Sequence, residues 1–470
     1  MRAICTVLAV CFAVLAAIAA AAEDAGGKIE LAKAADSRAS HPAPSGSPVK
    51  QDASRGGAPS AEPTAQSQNI GAVRPSNLVL PQMGVSAFDG GAESATIAEI
   101  VQNDLELADA AIRPRNQQAA AAAAAQDKQS GGVSYDGWAA AGVMYVLRGV
   151  LNGSEAQSEL YDIASKQRVL GNNYTGFAQK GARKLAHKIA DDIMTALSNP
   201  PGIFSSQICC LMERGGGRRE VMVMDADGAG ARQLTNEGAI VTSPAWGRNG
   251  TEIYYTSYRD NNPDLYGVTL AGQRFEISRR PGLNTSPSWS ESLQRIAVTL
   301  SKDGNSEIYT MTRDGRDLAR LTNSPDTDTA TDWSPDGSRI AFTSDRDGKP
   351  QIYVMSAGGG DAQRISTGGY CDSPSWSPDS RKLAYVVREG GEFNIYVADL
   401  TSGGPAVQLM RGQRDNKDPS WAPDSKHIVF TSNRGGAMQI YMMNTDVKTA
   451  HQLTRNAAGC SSPAWGPLTR

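Results

Sequence analysis

Six of the seven tryptophans in this 470-residue chain recur at near-constant spacing: Trp246, Trp289, Trp333, Trp376, Trp421 and Trp465, separated by 43, 44, 43, 45 and 44 residues. Seven residues after each of the first five stands Ile253, Ile296, Ile340, Leu383 or Ile428, and twenty after each stands Tyr266, Tyr309, Tyr353, Tyr396 or Tyr441. A third register runs through Leu234, Ile277, Leu321, Ile365, Leu409 and Leu453. Self-similarity at such a period marks a repeat architecture built from one supersecondary unit per copy.

The copy beginning Trp333-Ser-Pro-Asp-Gly337 shows what that unit is. A strand ending at Trp333 meets a Pro-Asp-Gly turn, in which Pro fixes φ and Gly accepts a positive one. Ile340-Ala-Phe-Thr-Ser344 is a second strand, Asp345-Arg-Asp-Gly348 a second turn, Ile352-Tyr-Val-Met355 a third strand and Arg364-Ile-Ser366 a fourth. Four short antiparallel strands per repeat make one blade of a β-propeller. A lone blade leaves bulky residues bare on both faces, so it must stack on neighbours, and strand twist closes the stack radially. The register spans Ile208 to Trp465, 258 residues, which predicts six blades. Ile208-Cys-Cys-Leu-Met212 has no tryptophan strand before it and Trp465 has nothing after its own, so the C-terminal strand should complete the first blade.

The N-terminus predicts export. Arg2, an apolar stretch over residues 3–18 and Ala20-Ala21-Ala22 form a secretory signal peptide with cleavage after Ala22. An uncleaved anchor is the weaker alternative, because alanine dominates the stretch and no basic stop-transfer cluster follows. Residues 23–76 are Ala, Ser, Pro, Gly and Gln with few aromatic or branched residues, and read as a flexible tether. Residues 77–201 mix helix and strand signals: strands at 77–80, 143–147 and 159–162, a helix through Ile97, Val101 and Leu105, and a final helix through Leu185, Ile189, Ile193 and Leu197. The alanine run 119–125 is expected as a surface loop or a loose helix, and His187 as a capping or surface residue. The fold class is therefore an α/β N-terminal domain, 77–201, followed by an all-β six-bladed β-propeller, 202–470, with four-stranded blades.

Charge is nearly balanced, 46 Lys plus Arg against 49 Asp plus Glu, which leaves no footprint for nucleic acid. No Gly-x-Ser-x-Gly, HExxH, P-loop or CxxC pair occurs. The Asp-Gly pairs at Asp227, Asp303, Asp336 and Asp347 lack calcium-loop spacing and read as hairpin turns. The cysteines show no metal or disulfide spacing, and no cofactor is expected. Tryptophans at a fixed repeat position read as core between blades rather than as sugar platforms.

The phrase Trp-Ser-Pro-Asp-Gly, followed by Ile-Ala-Phe-Thr-Ser, Asp-Gly and Ile-Tyr-Val-Met, resembles the repeat of the TolB family of periplasmic propellers. Asn103-Asp-Leu-Glu106, Tyr145-Val-Leu-Arg-Gly149, Leu160-Tyr-Asp162, His187-Lys-Ile-Ala-Asp191, Gly202-Ile-Phe204 and Ser462-Pro-Ala-Trp465-Gly-Pro467 resemble its other motifs, so the likeness covers residues 77–470. The resemblance implies a periplasmic, monomeric, non-catalytic adaptor of the Tol-Pal system, serving outer-membrane integrity and cell division. Its implied partners are the peptidoglycan-associated lipoprotein Pal, docked at the mouth of the propeller channel, and the C-terminal domain of TolA. Loops entering each tryptophan strand would form the mouth: Thr242, Ser243, Asn284, Thr285, Asp328, Thr329, Cys371, Asp372, Asn416, Lys417, Asp418, Cys460 and Ser461. Loops on a rigid scaffold favour the same place independently. Where the family carries its TolA-binding segment, this chain has the tether, in which Ile29, Glu30 and Leu31 could serve. A propeller lactonase or lyase with an axial metal held by mouth Asp and Asn residues is the alternative from another class.

Overall fold

The computed structural model describes residues 82–108, 114–176, 181–198, 201–412 and 414–468. The signal peptide, the tether with Ile29, Glu30 and Leu31, and the strand expected at 77–80 lie outside the described residues.

The first unit is a four-stranded sheet with helices against it. Its elements are β1 (Met83–Asp89), α1 (Ser94–Leu107), α2 (Gln117–Ser130), α3 (Tyr135–Ala140), β2 (Tyr145–Asn152), β3 (Glu155–Asp162), β4 (Gln167–Thr175) and α4 (Ala182–Ser198). The sheet runs β1-β2-β3-β4, with β1 parallel to β2 and the remaining pairs antiparallel. The sequence pattern missed β4, whose inward positions Leu170, Asn172 and Tyr174 are only half-buried and are interrupted by a polar residue, which leaves no run of apolar alternation to read. The alanine run is an ordered helix. Alanine has the strongest helix propensity, Asn116 accepts the Ala119 N–H at 3.0 Å, and Gly131 ends the helix with φ 70°. Inside it, Asp127 accepts the Trp138 indole N–H at 2.8 Å.

Six further four-stranded sheets follow. Their tryptophan strands are Val241–Trp246, Asn284–Ser290, Asp328–Trp333, Tyr370–Trp376, Asn416–Trp421 and Cys460–Trp465. Five sheets are built from consecutive strands. In the other, Cys460–Trp465 pairs antiparallel with Gln207–Glu213, with Trp465 opposite Ile208, so the two ends of the repeat region share one sheet. The tryptophan strands touch one another in a closed cycle, from Val241–Trp246 through each successive strand to Cys460–Trp465 and back.

Polar staples join successive sheets. The Trp333 N–H donates to Ser288 Oγ at 3.0 Å, that of Trp376 to Asp332 Oδ2 at 2.7 Å, and that of Trp465 to Ser420 Oγ at 2.9 Å. Trp333, Trp376, Trp421 and Trp465 are buried, each a side chain whose complete truncation costs about 3–5 kcal/mol. Trp246 and Trp289 differ from the expectation of six equal core residues: both are only half-buried, and Trp289 turns its indole N–H to Glu291 at 2.7 Å.

One apolar core runs from the first unit into the cycle. It contains Ile97, Val101 and Leu105 of α1, Leu185, Ile189 and Ile193 of α4, then Ile203, Phe204 and Ile208, and reaches Val429, Leu453 and Trp465.

Candidate functional site

Each tryptophan strand carries a β-bulge two or three residues into its length, where its register against the neighbouring strand breaks. The bulge residue is Ser243, Ser286, Ala330, Ser373, Asp418 or Ser462, and every one is left-handed, with φ of 53°, 53°, 53°, 55°, 51° and 49°. Such a conformation costs a residue with a Cβ about 1–2 kcal/mol, and a bulge re-aims the side chains around it. Repeated six times, it frames an open axial cavity of about 260 Å³ lined by these six residues, by Pro244, Pro287, Thr331, Pro374, Pro419 and Pro463, and by Thr242 and Arg219.

The expected mouth residues fall into three levels. Asn284, Asp328, Cys371, Asn416 and Cys460, at the start of their strands, are buried. Asn284 ties its own entry loop together, its Nδ2 donating to Arg280 O at 2.6 Å and its Oδ1 accepting from Ser278 Oγ at 2.6 Å. Asp328 holds Arg346 at 3.1 Å and Asn416 holds Arg434 at 2.8 Å. Thr242, Thr285, Thr329, Asp372, Lys417 and Ser461 come next and are half-buried. Ser243 and Asp418 belong to the cavity level itself. Sequence reasoning missed their equivalents Ser286, Ala330, Ser373 and Ser462. The signal was present in the Ser-Pro step of Thr-Ser-Pro-Ser-Trp289, because a proline inside a strand demands a bulge or an edge.

The acids here are constrained. Asp372 accepts from Thr343 Oγ1 at 2.9 Å, the Ser373 N–H at 2.7 Å and the Tyr370 hydroxyl at 2.9 Å. Asp418 accepts from Thr431 Oγ1 at 3.2 Å and Ser462 Oγ at 3.3 Å, and burial raises its pKa despite those bonds and the charge of Lys417. Deeper, burial raises Asp332 to about 7 against the opposing hydrogen bonds from Trp376 and Ser288. Lys417 reaches Asp415 at 3.2 Å and lies 4.1 Å from the centroid of the Phe393 ring.

A second polar cluster joins α1, α4 and the turn after Arg219–Asp225. His187 Nδ1 meets Asp104 Oδ2 at 2.7 Å. Arg183 donates from Nε to Asp225 at 3.1 Å and from Nη2 to Asp227 at 2.6 Å, and that Nη2 lies 3.2 Å from His187 Nε2. Asp191 accepts the backbone N–H groups of Phe204 and Ser205 at 2.7 and 2.8 Å. His187 is thus buried rather than a capping or surface residue, because its helix face meets α1 and not solvent. Burial opposes its charged form, but the hydrogen bonds to Asp104 and Asp225 and the surrounding carboxylates outweigh that and raise it to about 9. Burial raises Asp104 to about 7, so the pair competes for a proton; His187 governs, since three carboxylates surround it. Asp104, His187 and Asp227 have the donor atoms of a metal site, yet the Arg183 guanidinium already supplies positive charge there. Among the described residues no other such group occurs, in the axial cavity or elsewhere.

Antiparallel order puts the turns leaving the tryptophan strands, and the Asp225–Asp227 turn that meets Arg183, at one end of the sheets. The entry loops lie at the other end, away from the α1–α4 junction.

A cycle of four-stranded sheets around a lined axis defines a β-propeller protein. Residues 194–371 and 365–469 match the family model of the TolB beta propeller domain, and the chain belongs to that family. Among curated relatives it resembles the Tol-Pal system protein TolB of Anaeromyxobacter dehalogenans, 34% identical over 204 residues, 41% of this chain and 46% of the relative. That of Methylococcus capsulatus is 33% identical over 220 residues, 44% of this chain and 49% of the relative. The matched stretch thus spans less than half the length of these relatives. The crystal structure of TolB from Acinetobacter baumannii superposes with a TM-score of 0.72 at 27% identity, covering 82% of this chain and 96% of that one. Among the described residues no helix is long and apolar enough to cross a membrane.

Proposed function

We infer that this chain is a periplasmic, non-catalytic adaptor of the Tol-Pal system, in which a six-bladed ring presents its entry loops to a protein partner. The observation that carries this reading is the layered mouth. A buried level of Asn284, Asp328 and Asn416 fixes the loops, and a half-buried level of Thr242, Thr285, Thr329, Asp372, Lys417 and Ser461 stands at the next strand position. Loops anchored in this way are pre-ordered, which lowers the entropy lost when a partner binds. The proposed occupant is the peptidoglycan-associated lipoprotein, a reading that the Tol-Pal naming of the relatives supports, seated over the axis with Asp372, Lys417 and Asp418 supplying charge. Ile29, Glu30 and Leu31, on the N-terminal tether, are proposed to contact TolA.

The test is capture of the peptidoglycan-associated lipoprotein by Thr329→Arg and Lys417→Glu variants. Both positions are half-buried and outside the anchoring level. Capture should weaken by about tenfold or more, in line with the loss of central interface contacts, while the thermal midpoint stays put. Undiminished capture by both variants refutes the assignment. Deleting residues 23–40 should abolish TolA binding alone.

A further inference from the structure

We propose, on the reading of the entry loops as a protein-binding face, that Arg434 and the basic rim beside it form a receptor for an acidic peptide segment of the partner. Arg434 follows the strand His427–Ser432, whose Ser432 stands opposite Asn416 at the start of its tryptophan strand, so the guanidinium lies at the entry end. Its counterpart in the sheet of residues 328–364 is Arg346, which follows Ser344, opposite Asp328, in the same way. The two arginines are placed alike. Arg346 lies 5.3 Å from the Phe342 ring centroid and 4.7 Å from that of Tyr353; Arg434 lies 5.3 Å from Phe430 and 4.7 Å from Tyr441. Each donates from Nε to a serine hydroxyl, Ser344 at 2.8 Å and Ser432 at 3.0 Å. They differ in one partner. Arg346 meets the Asp328 carboxylate at 3.1 Å, whereas Arg434 meets the Asn416 carboxamide at 2.8 Å and Met410 Sδ at 3.3 Å. Where one sheet has an acid the other has its uncharged isostere, and Arg434 has no counterion among the described residues.

A half-buried cation without a counterion is costly. Burial holds the pKa of Arg434 below the usual arginine value, with only the Tyr441 hydroxyl pulling the other way, yet a guanidinium stays charged. A carboxylate brought by a partner offsets that cost, and the planar fork suits it. The surroundings select for more than one acid: Arg388, Arg411 and Arg414 are exposed and make no ion pair among the described residues. Between them half-buried Phe393 offers an apolar plate, with Lys417 4.1 Å and Arg388 5.5 Å from its centroid. Asp415 ties the two sheets together here, accepting the Phe393 N–H at 3.2 Å and donating its own N–H to Asn433 Oδ1 at 2.9 Å, next to Arg434. The sector also lacks a clamp that its neighbours have. Thr235, Thr322, Ser366 and Thr454 donate to Glu220, Glu307, Gln351 and Gln439 at 2.7, 2.5, 2.8 and 2.7 Å, fixing the loop that follows each fourth strand. Met410 and Asn394 hold those positions in the sheet of residues 370–408, and the buried Asn394 Oδ1 accepts no hydrogen bond. Arg411 and Arg414 thus stand on a loop without that clamp.

The experiment uses the full-length protein with two probes, the peptidoglycan-associated lipoprotein and a fluorescent hexaglutamate peptide, and hexaglutamine as the neutral control. Both probes should bind with an affinity that falls as salt rises. Arg434→Gln should weaken both by about tenfold and flatten the salt dependence. Asn416→Asp gives Arg434 the internal partner that Arg346 already has. It should weaken both probes by a similar factor while raising the thermal midpoint by about 1–3 °C. A purely structural arginine would shift the midpoint and leave binding alone. Hexaglutamate held no better than hexaglutamine overturns the proposal whatever the lipoprotein does, as do wild-type affinities in both variants. Preference for phosphatidylglycerol vesicles over the peptide also overturns it. Full lipoprotein capture by Arg434→Gln, with capture lost in Thr329→Arg and Lys417→Glu, would leave the docking face standing and remove the acidic receptor. Salt-sensitive hexaglutamate binding that Arg434→Gln abolishes, without lipoprotein capture by the wild type, would do the reverse.

Discussion

Trp333, Trp376, Trp421 and Trp465 do one job at equivalent places in the cycle, whereas Asp104, Arg183, His187 and Asp191 each do a job that nothing repeats. In the cycle the dominant contacts are apolar, and each has a copy one sheet away. At the junction the contacts are charged, buried and drawn from residues as far apart as Asp104 and His187. A repeated apolar contact tolerates local variation, as half-buried Trp246 and Trp289 show. A single buried polar contact does not, because removing one partner strands the other without a hydrogen bond.

The largest effect should come from the cycle. Trp333→Ala should lower unfolding free energy by about 3–5 kcal/mol, and Trp246→Ala, at a half-buried copy, by clearly less. Equal losses in denaturant titrations would break the view that burial ranks the copies. Next, Asp191→Ala leaves the N–H groups of Phe204 and Ser205 without their acceptor and should cost about 2–4 kcal/mol. Calorimetry should then show the first unit melting ahead of the sheets; a single unchanged transition would mean that the junction is held by apolar packing alone.

His187→Gln sharpens the contrast through pH. The folded-state pKa of His187, about 9, lies above the ordinary imidazole value of 6.5. Its contribution is therefore complete below about pH 6.5 and lost as pH rises through about 9. The wild type should exceed the variant by about 2–3 kcal/mol at pH 6 and converge with it near pH 10. A constant gap would remove the charge from the explanation. The smallest effect belongs to the axis. Ala330→Gly relieves a left-handed residue and should stabilise the protein by about 0.5 kcal/mol, since the flexibility of glycine offsets most of the relief.

The same contrast explains what could be read in advance. The period was legible because each strand and turn is spelled several times, so one degenerate turn, such as Ser290-Glu-Ser-Leu293, cannot hide it. Position along the repeat located the axis, but the pattern did not separate the buried anchors Asn284 and Asp328 from the half-buried residues one place on or the cavity residues two places on. That distinction depends on the bulge, a backbone feature whose only trace is proline inside a strand. At the junction the motifs Asn103-Asp-Leu-Glu106, His187-Lys-Ile-Ala-Asp191 and Gly202-Ile-Phe204 stood out by resemblance, but their contacts did not: nothing local marks Asp104, His187 and Asp227 as neighbours, and a helix-face histidine looks like any surface residue. β4 escaped for a third reason, lacking the apolar alternation that reveals a strand.

The strand Cys460–Trp465 completes a sheet whose other three strands were made some 250 residues earlier. Until Cys460–Trp465 has been made, Gln207–Glu213 must wait with one hydrogen-bonding edge bare, an invitation to aggregate. Closure of that sheet is therefore gated by the arrival of Cys460–Trp465. A stalled or prematurely stopped product would stay recognisably incomplete to chaperones and proteases.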